Sequence, residues 1–142
     1  MMSTHNRLAL LAMFAMALAS PSSAAAAQPP SLAALGLLEH GEWELHERGN
    51  DVPRRVCISD GSQLLQLRHP GHQCRRFVIR NDSKQVSVAY DCAASGRGRT
   101  DVRIETSRLV QIDSQGISEG TPFVMAFEGR RVGNCKAAAL AR

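Results

Sequence analysis

Phe77-Val78-Ile79 and Val86-Ser87-Val88-Ala89-Tyr90 flank the polar stretch Asn81-Asp82-Ser83-Lys84. Two β-prone runs around a short polar turn predict a β-hairpin. That hairpin sets the fold class, because the segments on either side of it repeat the same grammar. Upstream, Gly41-Glu42-Trp43-Glu44-Leu45-His46 alternates, with Trp43 and Leu45 on one face and Glu42, Glu44 and His46 on the other. Period-two alternation predicts a half-buried strand. Gly49-Asn50-Asp51 with Pro53 is turn chemistry, and Arg54 to Ile58 is a short β-prone run. Ser59-Asp60-Gly61-Ser62 before Leu64, Leu65 and Leu67 predicts a short polar-capped helix, stopped by Pro70.

Downstream, Gly96 and Gly98 read as a loop. Thr100 to Thr106 alternates again, with Val102 and Ile104 sharing a face. Leu109-Val110-Gln111-Ile112 follows. Gly116 and Gly120-Thr121-Pro122 read as breaks before Phe123-Val124-Met125-Ala126-Phe127. The sum is six or seven short strands and one short helix. This predicts a mostly β domain, an antiparallel sandwich or half-barrel with one wet face.

The chain has 142 residues, enough for one domain. Arg7, the apolar run Leu8 to Ala19, the break Ser20-Pro21-Ser22-Ser23 and the small residues Ala24 to Ala27 follow the order of a secretory signal. The expected division is a signal peptide at 1–27, a lead-in at 28–38, a β-rich domain at 39–135 and a flexible Ala-rich tail at 136–142. Cleavage after Ala27 or after Ala24 both fit. In the lead-in, Leu32, Leu35 and Leu38 can line one side of a helical turn or two. Removing Arg7 with the leader leaves sixteen basic against thirteen acidic side chains, a charge of +3. No later stretch holds the ~18 consecutive apolar residues of a membrane span. The product is expected to be periplasmic or secreted and not membrane-spanning.

Cys57, Cys74, Cys92 and Cys135 all follow the leader. An even number of cysteines in a small exported domain reads as disulfides. No C-x-x-C occurs, so no redox, haem or zinc-knuckle motif is indicated. The pairing expected is Cys57–Cys74 with Cys92–Cys135, since each bond then closes a loop the sheet does not close. The rival, Cys74–Cys92 with Cys57–Cys135, follows from folding the hairpin about Ser83.

Gly41-Glu42-Trp43-Glu44 after the leader, Cys57-Ile58-Ser59 before a short helix, Cys74 and Cys92 bracketing the hairpin, and Gly129-Arg130-Arg131-Val132-Gly133-Asn134-Cys135 occur in that order. This order resembles a family of small secreted proteobacterial proteins, domain of unknown function 3617, over most of residues 38 to 135. Family members often carry a longer Met- and Pro-rich insert between the W-E strand and the first cysteine. Here about ten residues fill that place. The resemblance implies a β-rich exported domain and no reaction.

His69-Pro70-Gly71-His72-Gln73-Cys74 is the most metal-like stretch. Imidazoles three apart near a thiol suit zinc or copper, and His40 and His46 are candidate further ligands. Against this, Cys74 is expected to be oxidised and Pro-Gly makes a turn, so a solvated turn is the preferred reading. Glu42 and Glu44 meet the spacing of a glycosidase pair, about 5–10 Å, but lack a cleft. Ser59, Asp60 and the histidines supply triad residue types without a G-x-S-x-G elbow.

Arginine outnumbers lysine fourteen to two from Gln28 onward. Arg54-Arg55, Arg75-Arg76 and Arg130-Arg131 are doublets near strand ends. Guanidinium forks suit phosphates and carboxylates, and Arg130 and Arg131 are the candidate anion-binding pair. Nucleic acid fits poorly, because acids nearly balance bases and no aromatic platform interleaves them. The reading is an exported non-catalytic β domain with no cofactor. Its expected role is a periplasmic binding or envelope-associated module, whose partner is an anionic envelope component or another envelope protein. The alternative is a periplasmic metal binder using His69 and His72.

Overall fold

The structure, a computed structural model, describes residues 31–136. The expected leader, its cleavage site and the tail beyond Lys136 lie outside the described residues. Seven antiparallel strands form one open sheet. They are β1 (Gly41–Glu47), β2 (Arg54–Ile58), β3 (Arg75–Asn81), β4 (Gln85–Asp91), β5 (Gly96–Thr106), β6 (Leu109–Ser118) and β7 (Thr121–Gly133), in spatial order β2-β1-β7-β6-β5-β4-β3. There is one sheet among the described residues, so the half-barrel reading holds and the sandwich does not.

The core lies on one face of this sheet. Trp43 and Leu45 on β1, Val86 and Val88 on β4, Val102 and Ile104 on β5, and Val110 and Ile112 on β6 form one apolar cluster. That face is covered by the 3-10 helix Gly61–Gln66, through Leu64 and Leu65, and by the turn of helix α1 (Ala33–Gly36), through Leu35. Both covers were readable. Asp60 accepts from the Ser62 N–H at 2.8 Å, and the Gln63 Oε1 accepts from the Asp60 N–H at 3.0 Å. This is a capping box. Leu35 and Leu38 are buried as the lead-in spacing predicts.

Three expectations need correction. Gly96 and Gly98 are not a loop, and Gly116 does not break a strand. β5 begins at Gly96, and Gly98 pairs with Gly116 inside the β5–β6 ladder. The reason is a close approach: a Cβ on Gly98 would lie 2.6 Å from the Tyr90 hydroxyl. Gly98 makes room for that ring within a strand, and Gly116 makes room for the Arg97–Gly98 backbone beside it.

The third correction is the disulfide pairing, which is Cys57–Cys135 and Cys74–Cys92. Register explains it. Arg75 faces Asp91, so the next residues outward, Cys74 and Cys92, face each other with Cα atoms 4.2 Å apart. Glu42 pairs with Cys57 on one side and Gly133 on the other. The chain two residues beyond Gly133 therefore passes the end of β1 and reaches Cys57, at a Cα separation of 5.5 Å. The expected Cys57–Cys74 bond would have to join elements at opposite edges of the sheet, since β2 and β3 are its two outermost strands.

The outer face is laced with ion pairs. Arg99 grips Asp101 with two hydrogen bonds of 3.1 Å, Arg75 meets Asp91 at 3.2 Å and Arg130 meets Glu128 at 3.2 Å. All three carboxyls have pKa values below the ordinary range. For Asp91 the Ala93 N–H is the first cause and Arg75 the second. For Asp101 burial pushes upward, and hydrogen bonding led by the Arg99 fork more than offsets it. For Glu128 the Gln111 amide comes first and Arg130 second. A carboxyl with a depressed folded pKa binds fewer protons folded than unfolded, so its contribution is present above the unfolded value and is lost as pH falls through the folded one. The melting temperature should therefore hold above about pH 5 and fall progressively below about pH 4, modestly because the pairs are exposed. Thermal melts between pH 7 and pH 2 check this; a melting temperature that rises on acidification contradicts it.

Candidate functional site: the outer face of the sheet

The ladder aligns Phe77, Ala89, Arg99, Gln115 and Val124 in one row across β3 to β7. The neighbouring row is Arg75, Asp91, Arg97, Ile117 and Pro122. Between these rows the outer face carries an open depression of about 650 Å³. Phe77 and Val124 wall it, and Ala89 and the backbones of Gly98 and Gly116 floor it. Phe77 is 54% exposed and Val124 81%, unusual for large apolar residues brought together in one patch.

Charge at the depression is uneven. Arg75 and Arg99 are each paired to a carboxylate. Arg97 projects from the same face of β5 as Arg99 and has no ion pair or hydrogen bond among the described residues. The site thus offers an apolar floor beside the Arg97 guanidinium, whose charge reaches Asp91 across the ladder but which has no carboxylate within ion-pair distance among the described residues.

A buried polar network backs this region on the core side. His69 is 2% exposed. Its Nε2 lies 2.9 Å from the Ser95 carbonyl oxygen and its Nδ1 3.3 Å from the Tyr90 hydroxyl. A carbonyl only accepts, so Nε2 donates to Ser95, and Nδ1 faces the Tyr90 hydroxyl. Thr100 and Ser114 hydroxyls meet at 2.8 Å on the same face. Burial raises the Tyr90 pKa, with Ser114 and Arg68 pulling the other way. The network fixes the strands beneath the depression in one arrangement.

The sequence-derived candidates fall in several places. The solvated-turn reading of His69 is corrected: the turn continues from the 3-10 helix through the His69 N–H to the Gln66 carbonyl, and this tucks the ring inside. His72 is exposed, with its ring centroid 6.1 Å from that of His69. Among the described residues no three His, Cys, Asp or Glu side chains gather as metal ligands. Arg130 and Arg131 are split to opposite faces, as strand alternation requires. Arg131 is clamped to the His40 carbonyl at 2.8 Å and the Asn134 side chain at 2.9 Å, while Arg130 leans on Glu128. Glu42 and Glu44 share Arg55, at 3.7 and 2.6 Å, on an outer face without a cleft. Asp60 and Ser59 belong to the helix cap.

Arg97, Phe77 and Val124 were not singled out from the sequence as a site. The available signal was the alternation Arg97, Arg99, Asp101, Arg103, masked by reading the intervening glycines as a loop. Among the described residues no helix is long and apolar enough to cross a membrane. Neither a family model, nor a curated protein, nor a solved structure matches this chain.

Proposed function

We propose that this protein is an exported, non-catalytic β domain of the periplasm that binds an anionic envelope component through the outer face of its sheet. The resemblance to domain of unknown function 3617 belongs to this proposal. The observation that carries it is the depression between Phe77 and Val124 with Arg97 at its side, without a carboxylate in ion-pair distance among the described residues. An apolar surface next to a guanidinium suits a ligand with an anionic head and an apolar body. Both disulfides support export, because such bonds persist in oxidising compartments. The buried His69–Tyr90 pair has both imidazole nitrogens engaged, which favours a structural role over an acid–base one.

The test is co-sedimentation of the oxidised protein with phosphatidylglycerol-containing vesicles against phosphatidylcholine vesicles. Binding should occur to the anionic vesicles alone, weaken with added salt, and fall several-fold in Arg97→Gln and in Phe77→Ser. A photo-crosslinking residue in place of the highly exposed Val124 extends the test to intact cells. A lipid or polymer adduct supports the reading, a single protein adduct replaces it with an envelope-protein partner, and equal binding to both vesicle types overturns it.

A further inference from the structure

A second cavity borders the outer-face depression through Phe123 and Val124 and lies at the end of the half-barrel where β1, β2 and β7 meet the loop that follows the 3-10 helix. Its volume is about 480 Å³, and Leu45, Val52, Met125 and Phe127 supply its apolar lining. That size falls within the range of small-molecule pockets. Two arginines reach it. The Arg54 guanidinium sits 5.3 Å from the centroid of the Phe127 ring, and that of Arg68 5.9 Å from the centroid of Phe123.

Neither guanidinium has a carboxylate within ion-pair distance among the described residues. The one acid lining the cavity is Glu47. Arg54 remains reachable from solvent as a residue, yet partial burial of its head group lowers its pKa, with Glu47 pulling the other way. Among the described residues its side chain makes one long hydrogen bond of 3.5 Å, to the Leu67 carbonyl. Two cations face one anion across an apolar floor, so the cavity lacks one negative charge for balance. Partial burial of the Arg54 head group weakens water screening there and strengthens its attraction for an entering anion. Stacking on the phenyl rings holds each guanidinium plane in place and leaves its N–H edges for a carboxylate.

We propose that this cavity is a binding site for a single amphiphilic monocarboxylate, with the carboxylate held between Arg54 and Arg68 and the acyl chain laid against Leu45, Met125 and Phe127. One carboxylate supplies the missing charge. A dianion would overshoot it and face Glu47.

Decanoate, below its aggregation concentration, is the probe. Calorimetry on the oxidised protein should show saturable one-to-one binding. Amide and arginine side-chain NMR signals of Arg54, Arg68, Met125 and Phe127 should shift, while those of Phe77 and Ala89, which line only the outer-face depression, stay in place. Decanol should bind at least tenfold more weakly, and Arg54→Gln and Arg68→Gln should each cost about tenfold in affinity, the scale of a charge-assisted hydrogen bond. Arg68 is exposed, so Arg68→Gln carries the test alone if Arg54→Gln fails to fold. Equal binding of decanol overturns the proposal, since it reduces the site to an apolar patch. Absence of saturable binding also overturns it, as do shifts confined to Phe77 and Ala89; the last result would leave the outer-face reading standing.

Discussion

Replacing Trp43 with alanine is expected to cost about 3–5 kcal/mol of folding free energy. Trp43 is fully buried, at 0% exposure. On β1 it stands between Val56 of β2 and Arg131 of β7. Its indole N–H donates to the Glu39 carbonyl at 3.0 Å, fixing the ring's direction. The indole packs over Gly129, where a Cβ would come within 3.7 Å of the ring and 2.9 Å of Val110. Truncation therefore opens a cavity that no neighbour is placed to fill. Small domains have about 5–15 kcal/mol in total, so the loss is a large fraction. The same strand supplies the control: His46→Ala, on the solvent face, should stay within about 0.5 kcal/mol. Urea denaturation of both variants checks the pair. A Trp43→Ala loss below about 1 kcal/mol would place the strand the wrong way round.

The second large effect belongs to the bond between Cys57 and Cys135. It spans 78 residues of sequence, against 18 for Cys74–Cys92. The chain-entropy model gives about 4.5 kcal/mol for the longer loop and about 3.2 kcal/mol for the shorter. The structure widens this difference in one respect: the Cys74–Cys92 bond closes a hairpin that the β3–β4 ladder already holds. The Cys57–Cys135 bond instead ties edge strand β2 to the end of β7 across β1. The double variant Cys57→Ala/Cys135→Ala should therefore be destabilised more than Cys74→Ala/Cys92→Ala in matched urea titrations. The reverse order would mean that hairpin closure, rather than edge anchoring, limits stability.

The fold was legible where period-two patterning was unbroken. Trp43 and Leu45 announced the buried face of β1, the hairpin about Ser83 announced β3 and β4, and Ser59-Asp60-Gly61-Ser62 announced the helix cap. Legibility failed where tertiary packing chose the residue. Gly98 and Gly116 carry turn chemistry in sequence, yet they sit in a ladder because the Tyr90 ring needs the missing side chain of Gly98 and the Arg97–Gly98 backbone that of Gly116. That misreading shortened β5 and hid the Arg97–Arg99 stripe, and the outer depression with it. The disulfides failed for a different reason. Pairing depends on which strands become neighbours, and β7 inserts beside β1, the first strand of the chain, a long-range choice no local pattern encodes.

The sites show the same division. The arginine doublets were visible, but adjacent residues of a strand face opposite ways, so Arg130 and Arg131 do not make one patch. The arginines that do share a cavity, Arg54 and Arg68, lie fourteen residues apart and are brought together by packing against Phe127 and Phe123. His69 was visible as a chemical group. Its burial was not, because it depends on the Ser95 carbonyl and Tyr90, more than twenty residues away in sequence.

Two specific bonds, Cys57–Cys135 and Cys74–Cys92, close the seven-stranded sheet, and the proposed export requires both to be formed. Non-reducing peptide mapping of protein recovered from the periplasm of the cells that make it tests this most directly. The account predicts two linked peptide pairs, Cys57 with Cys135 and Cys74 with Cys92, and no free thiol. A peptide linking Cys57 to Cys74, or four free thiols, would contradict it.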